Sequence, residues 1–132
     1  MIDLGVILEN AKPIVRETGI WIQSMVHKIG EADIQYKGTN DLVSFVDQTA
    51  ESKLKEGLSR IFPEAGFVAE ESASDYSDVG DGYYWVIDPL DGTTNFLHGL
   101  PIYAVSVGLI YHKQPVIGLI YEPNRDELFY AA

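Results

Sequence analysis

Asp88-Pro89-Leu90-Asp91-Gly92-Thr93 puts two carboxylates three positions apart, with a proline between them and a glycine directly after. Carboxylate oxygens are hard donors that suit divalent cations, and Pro89 restricts the backbone that carries them. Gly92 leaves the neighbouring amides bare enough for an anion to approach. Metal and phosphate binding is the chemistry this pattern fits. Taken singly, each residue also has an ordinary reading: Asp88 could begin a turn, and Asp91 could cap a short helix running through Phe96.

Other oxygen donors lie upstream. Glu70-Glu71-Ser72 follows the apolar run Phe67-Val68-Ala69, so a strand end delivers two carboxylates to an edge where loops converge, although such pairs are often just solvated. Asp47 stands three residues after Ser44, the spacing of a capping box, and capping does not exclude catalysis. Thr93 could satisfy backbone donors in a first helical turn, and Lys37 could be a solvated strand residue. His98 and His112 read as structural.

These residues need elements to position them. Apolar residues from Leu4 to Ile29 recur at helical spacing, which predicts a long amphipathic helix over residues 3 to 28, ending near Gly30. Pro13 should kink it, unless the regular helix begins only near Asn10 with Pro13 in its first turn. Ile34 to Lys37 reads as a short strand and Gly38-Thr39-Asn40 as a turn. A second helix is then predicted from about Ser44, with Val46, Ala50, Leu54, Leu58 and Ile61 as its buried stripe and Glu51, Lys55 and Arg60 on the opposite face. After Pro63 the period changes to that of strands: Gly66 to Glu70, Tyr83 to Ile87, Tyr103 to Tyr111, Val116 to Tyr121 and Glu127 to Ala131. Short turns at 112–115 and 122–126 predict antiparallel pairing of the last three.

The expected fold class is therefore α+β, two N-terminal helices packed on a mainly antiparallel β-sheet. Along Tyr103 to Tyr111 one face is large, while the other begins Ala104, Ser106, Gly108. Both faces look buried, yet two helices cover only one, so the second face wants another layer from a partner subunit or from further sequence.

With 132 residues the chain is the size of one domain. Nine Lys plus Arg against 20 Asp plus Glu give a net charge of -11, which argues against nonspecific attraction to nucleic acid or anionic membranes. The absence of cysteine excludes disulfides and thiolate metal sites, favours an oxygen-ligand metal and fits a reducing cytoplasm. Residues 1–10 do not resemble a secretory signal, and no apolar run reaches membrane-spanning length.

Trp85-Val86-Ile87-Asp88-Pro89-Leu90-Asp91-Gly92-Thr93-Thr94-Asn95-Phe96 resembles the signature of the inositol monophosphatase family, within the magnesium-dependent, lithium-sensitive sugar phosphatases. Asp41-Leu42-Val43 through Asp47 and Gln48, and Ala69-Glu70-Glu71-Ser72, resemble two further family elements. The resemblance implies that Glu70, Asp88 and the backbone carbonyl of Leu90 bind one Mg²⁺, and that Asp88 and Asp91 share a second. It also implies that Thr93 with Asp47 orients or deprotonates the attacking water, that Glu70 holds that water through the metal, and that Asp91 and the amides of Gly92 and Thr93 meet the substrate. Lys37 and Glu71 would be neighbours of the site. The implied activity is hydrolysis of an inositol phosphate or related sugar phosphate by a homodimer, and the cytoplasm is the setting that the absence of cysteine fits.

The family's second half carries a Trp-Asp motif whose aspartate completes the second metal site. Here Trp21 and Trp85 are followed by Ile22 and Val86. The expectation is a single N-terminal metal-binding domain over residues 1–132, without the C-terminal domain and with weak or no turnover by itself. The competing reading is a non-catalytic interaction module with a vestigial or structural cation site. A plain calcium-binding domain is disfavoured because no EF-hand loop is present.

Overall fold

The computed structural model describes residues 2–26, 36–69 and 80–132, without side chains at 36–41 and 69. Helices α1 (Leu4–Ser24) and α2 (Tyr36–Ile61) precede five strands: β1 (Gly66–Ala69), β2 (Tyr83–Asp91), β3 (Ala104–Tyr111), β4 (Gln114–Glu122) and β5 (Glu127–Ala131). A short helix, α3 (Thr93–Leu97), joins β2 to β3. The strands lie in sequence order in one sheet, β1 parallel to β2 and the others antiparallel. The α+β architecture is therefore as expected, with a mixed sheet. The β3–β4 turn is shorter than the sequence suggests: His112 and Lys113 alone form it, both at positive φ (50° and 63°), which matches the twist of the strands it joins.

Helix α1 begins where the Asp3 carboxylate accepts the Val6 N–H at 3.2 Å, a cap contributing about 1 kcal/mol relative to alanine. Ile7, Leu8, Ala11, Val15 and Ile22 form its buried stripe. The helix passes through Pro13, so the later start near Asn10 is not adopted. Its expected end at Gly30 lies outside the described residues.

The structure corrects the segment before the second helix. Tyr36, Lys37 and Gly38-Thr39-Asn40 belong to α2 rather than to a strand and a turn; Ile34 lies outside the described residues. Leu42 and Val43 already pack on the core, one turn before Val46, so the apolar stripe extends the helix backwards. That packing outweighs the roughly 1 kcal/mol that a glycine costs inside a helix. Ser44 therefore sits inside α2, exposed, and forms no N-terminal capping box with Asp47.

Both helices cover one face of the sheet. Val46, Ala50, Leu54 and Leu58 of α2 and the α1 stripe meet Trp85, Ile87, Val105, Val107, Leu109, Ile117, Leu119 and Tyr121. Each side chain fully withdrawn from water contributes on the order of 1.5–3 kcal/mol. Close approach of α1 to β4 depends on Gly19, because a Cβ there would overlap the Tyr121 ring. On the other face Ile120 and Phe129 remain 47% and 57% exposed, which is the uncovered surface the strand pattern predicts. Among the described residues, no helix is long and apolar enough to cross a membrane.

Candidate active site

Strand β2 does not stop at Ile87 but carries the motif to Asp91. Asp88 pairs with Ser106 and Asp91 with Ala104, so three steps along β2 match two steps along β3. This bulge changes where the carboxylates point. In a regular strand, residues three apart face opposite sides of the sheet. Here both aspartates oppose residues that are two apart on β3, and the register places them on the same side. Pro89 and Leu90, between them, are buried and anchor the irregularity.

The chain then turns sharply at Gly92, whose φ of 94° lies in the left-handed region. Gly92, not Asp91, is the N-cap of α3, and no side chain supplies a capping hydrogen bond. Glycine is demanded twice, since a Cβ would also come within 2.9 Å of the Ile102 carbonyl oxygen and 3.2 Å of Tyr103 Cα. Phe96 N–H donates to the Gly92 carbonyl at 3.0 Å, and the buried Phe96 ring meets Tyr103 edge-on at 5.2 Å. The motif turn is thus clamped against the start of β3.

Thr93 differs from its ordinary reading. Its hydroxyl does not accept from a backbone amide; it donates to the Leu90 carbonyl at 3.1 Å. A hydroxyl has one proton and two lone pairs, so the Thr93 oxygen keeps acceptor capacity toward the cleft. The Leu90 carbonyl likewise has a second lone pair.

Helix α2 closes the cleft. A cavity of about 490 Å³ is lined by Asp47, Gln48 and Glu51 from α2 and by Ile87 through Thr93 from the motif. It brings together Asp47, Asp88, Leu90, Asp91, Gly92 and Thr93, six of the residues expected at the site. Glu51 is a correction: the stripe predicts it on the face opposite the core, yet it lines this cavity one helical turn beyond Asp47, while still 3.7 Å from Lys55. The i, i+4 spacing of Asp47 and Glu51 was the available signal. Glu70 and Glu71 lie outside the described residues, as does the side chain of Lys37, whose backbone is in the first turn of α2. Ala69, the last described residue of β1, pairs with Ile87, the residue before Asp88.

The donors around the cavity are carboxylates, a carbonyl, an amide and a hydroxyl. This hard-oxygen set fits Mg²⁺ and offers nothing to softer metals. Among the described residues alone, no three carboxylate or imidazole groups converge into a complete metal cage.

Comparison with known proteins gives a consistent result. The sequence model of the inositol monophosphatase family matches residues 3–132. The fructose-1,6-bisphosphatase/inositol-1-monophosphatase of Aquifex aeolicus is 40% identical over 132 residues, covering 100% of this chain and 49% of that protein. The structure of inositol monophosphatase from Anabaena superposes with a TM-score of 0.77 at 32% identity, covering 99% of this chain and 45% of that one. Staphylococcal SaIMPase-II bound to inositol monophosphate superposes with a TM-score of 0.70 at 27% identity, over 94% of this chain and 43% of its own. The chain therefore spans about half the length of the relatives it matches.

Proposed function

This chain belongs to the inositol monophosphatase family, and from that premise we propose that it supplies the metal-binding half of a Mg²⁺-dependent phosphomonoesterase. The substrate class is an inositol phosphate or a related sugar phosphate. The observation that carries this reading is the shared cavity of Asp47, Asp88, Leu90, Asp91, Gly92 and Thr93, assembled from two elements distant in sequence.

Asp88, Asp91, the Leu90 carbonyl and Glu70 are the residues that would hold Mg²⁺. When bound, the metal supplies Lewis-acid polarisation of the phosphate and a lowered pKa for attacking water. The protein's own groups do the rest. Thr93, its proton committed to Leu90, presents lone pairs that orient the water by accepting a hydrogen bond. The Asp47 carboxylate takes the proton. Gly92, at a left-handed turn, and Thr93 both line the cleft, and their amides would donate to phosphate oxygens. Attack by water on phosphorus with departure of the sugar alkoxide requires no covalent enzyme intermediate. Lithium sensitivity, a homodimeric assembly and a cytoplasmic setting complete the proposal.

The test is Mg²⁺-dependent phosphate release from inositol 1-phosphate. This chain alone should show trace release at most. Supplying the remaining half of the Aquifex aeolicus relative should produce turnover that Asp88→Asn abolishes. The competing reading, a non-catalytic interaction module, is favoured by the open apolar face of the sheet. It would prevail if no combination released phosphate while the chain still bound a partner.

A further inference from the structure

The proposed hydrolysis leaves Glu51 without a task, yet Glu51 lines the same cavity as the motif. It follows Asp47 by four residues, so the two stand on one face of α2. The cavity therefore has two walls of carboxylates. Asp88, the Leu90 carbonyl and Asp91 belong to the end of β2, and Asp47, Gln48 and Glu51 belong to α2.

Packing does not account for this glutamate. The buried stripe of α2 runs through Val46, Ala50, Leu54 and Leu58, and Glu51 lies beside it with a side chain 36% exposed. Lys55 Nζ stands 3.7 Å from Glu51 Oε2, an ion pair longer than a hydrogen bond, so the carboxylate keeps lone pairs for other donors. None of the described lining residues is cationic, while Asp47, Asp88 and Asp91 share the space. A fourth carboxylate in that company is repelled unless a cation or its donors meet it.

What meets it is narrowed by distance and volume. Among the described residues, no three carboxylates converge closely enough to hold an ion directly, so Glu51 does not join Asp88 and Asp91 as a ligand to one cation. Mg²⁺ gives up water reluctantly and keeps several waters when few carboxylates bind it. With waters at about 2.1 Å from the metal and a water radius of about 1.4 Å, the hydrated ion is roughly 7 Å across. A cavity of about 490 Å³ has room for the ion and that shell together. Such waters donate hydrogen bonds, and an ionised carboxylate only accepts them.

We propose that Glu51 is a positioning residue for the metal: its carboxylate accepts hydrogen bonds from waters of a Mg²⁺ held by the motif, and so ties the outer shell of the ion to α2. The inference rests on the reading of this cavity as a Mg²⁺ site and adds to it a residue that acts through water. Outer-shell partners of this kind change metal affinity by about 10–100-fold.

The experiment titrates this chain with Mg²⁺ alone and with Ca²⁺ alone by calorimetry, and records the melting temperature with and without each ion. Glu51→Gln removes the charge and keeps the shape. Glu56→Gln removes a charge from the same helix outside the cavity, where Glu56 is exposed and paired with Arg60. Asp88→Asn tests the metal site itself. Glu51→Gln should weaken Mg²⁺ binding at least about tenfold, Glu56→Gln by less than about twofold because solvent and salt screen it, and Asp88→Asn by more than either. Ca²⁺ exchanges its waters for protein oxygens more readily than Mg²⁺, so Glu51→Gln should cost less affinity for Ca²⁺. The metal-free melting temperature should not move, because a half-exposed helical ion pair stabilises little.

A Glu51→Gln chain that binds Mg²⁺ like Glu56→Gln, while Asp88→Asn does not, overturns the role of Glu51 and leaves the metal site standing. An equal or greater loss toward Ca²⁺ also overturns it, by marking Glu51 as a direct ligand. If the unaltered chain binds no Mg²⁺, the metal site and this role fall together. Should Glu51→Gln fail to fold, Glu51→Asp replaces it: the charge stays, the carboxylate retracts by one methylene, and Mg²⁺ affinity that is unchanged overturns the proposal.

Discussion

A Cβ placed on Gly92 would stand 2.9 Å from the carbonyl oxygen of Ile102, on a backbone already at φ 94°. Two independent penalties therefore meet at one residue. The left-handed conformation costs a residue with a side chain about 1–2 kcal/mol, and crowding against a packed backbone adds roughly 1–3 kcal/mol. Gly99, also left-handed at φ 71°, has open space around it and incurs only the first. Urea unfolding of Gly92→Ala and Gly99→Ala separates the two: Gly92→Ala should lose more by at least about 1 kcal/mol. Equal losses would mean that the clamp against β3 yields without cost.

Ser44→Ala tests where α2 starts. At an N-cap this substitution costs about 1 kcal/mol. Ser44 is instead exposed within a helix that begins at Tyr36, so stability should stay within about 0.5 kcal/mol or rise slightly. A loss of the size a cap would give, read from the urea midpoint, would restore the start that the sequence suggests.

Thr93 separates orientation from bulk. Thr93→Ser keeps the hydroxyl that donates to Leu90, whereas Thr93→Val keeps the shape and removes it. In the complemented enzyme, Thr93→Val should slow phosphate release by about 10²–10⁴-fold, the range for disabling a general-base step, because Asp47 would then face a misoriented water, with the serine variant much nearer to the unaltered protein. If valine is tolerated as well as serine, Thr93 does not orient the water.

Tyr121 carries a pH signature. Its hydroxyl donates to Asp126 Oδ1 at 2.7 Å. Burial, reinforced by that hydrogen bond and by the Asp126 charge, pushes the phenol up from 10.0 to about 12. A phenol whose folded pKa is raised stabilises the fold fully below the unfolded value and loses that contribution as pH climbs from 10 to about 12. Urea midpoints should therefore fall across that window, and Tyr121→Phe should flatten the fall. At neutral pH the variant should cost about 1 kcal/mol, the value of one hydrogen bond, because Asp126 is exposed and water replaces its partner. An unchanged alkaline slope in Tyr121→Phe would place the sensitive group elsewhere, with the buried Tyr103 hydroxyl, also raised by burial, as the next candidate.

The sequence by itself determined the elements and their chemistry. The α1 and α2 stripes, the strand period after Pro63 and the short turns that pair β3, β4 and β5 are local patterns, and each is written in consecutive residues. The motif's donors were legible for the same reason, because Asp88, Leu90, Asp91, Gly92 and Thr93 are neighbours in the chain. The alternation along β3 even exposed the second, unsatisfied face. What only the tertiary structure decided depends on relations between distant segments. The start of α2 followed packing of Leu42 and Val43 on the core and overrode the local turn signal at Gly38-Thr39-Asn40. The common facing of Asp88 and Asp91 arises from a bulge defined by the partner strand, which no reading of β2 alone contains. Glu51 looked solvent-facing on a helical wheel because the wheel does not know that the end of β2 lies beside that turn of α2. The pairing of Gly108 with Gly118 needed the register of two strands, since nothing in either strand alone says which residue stands opposite.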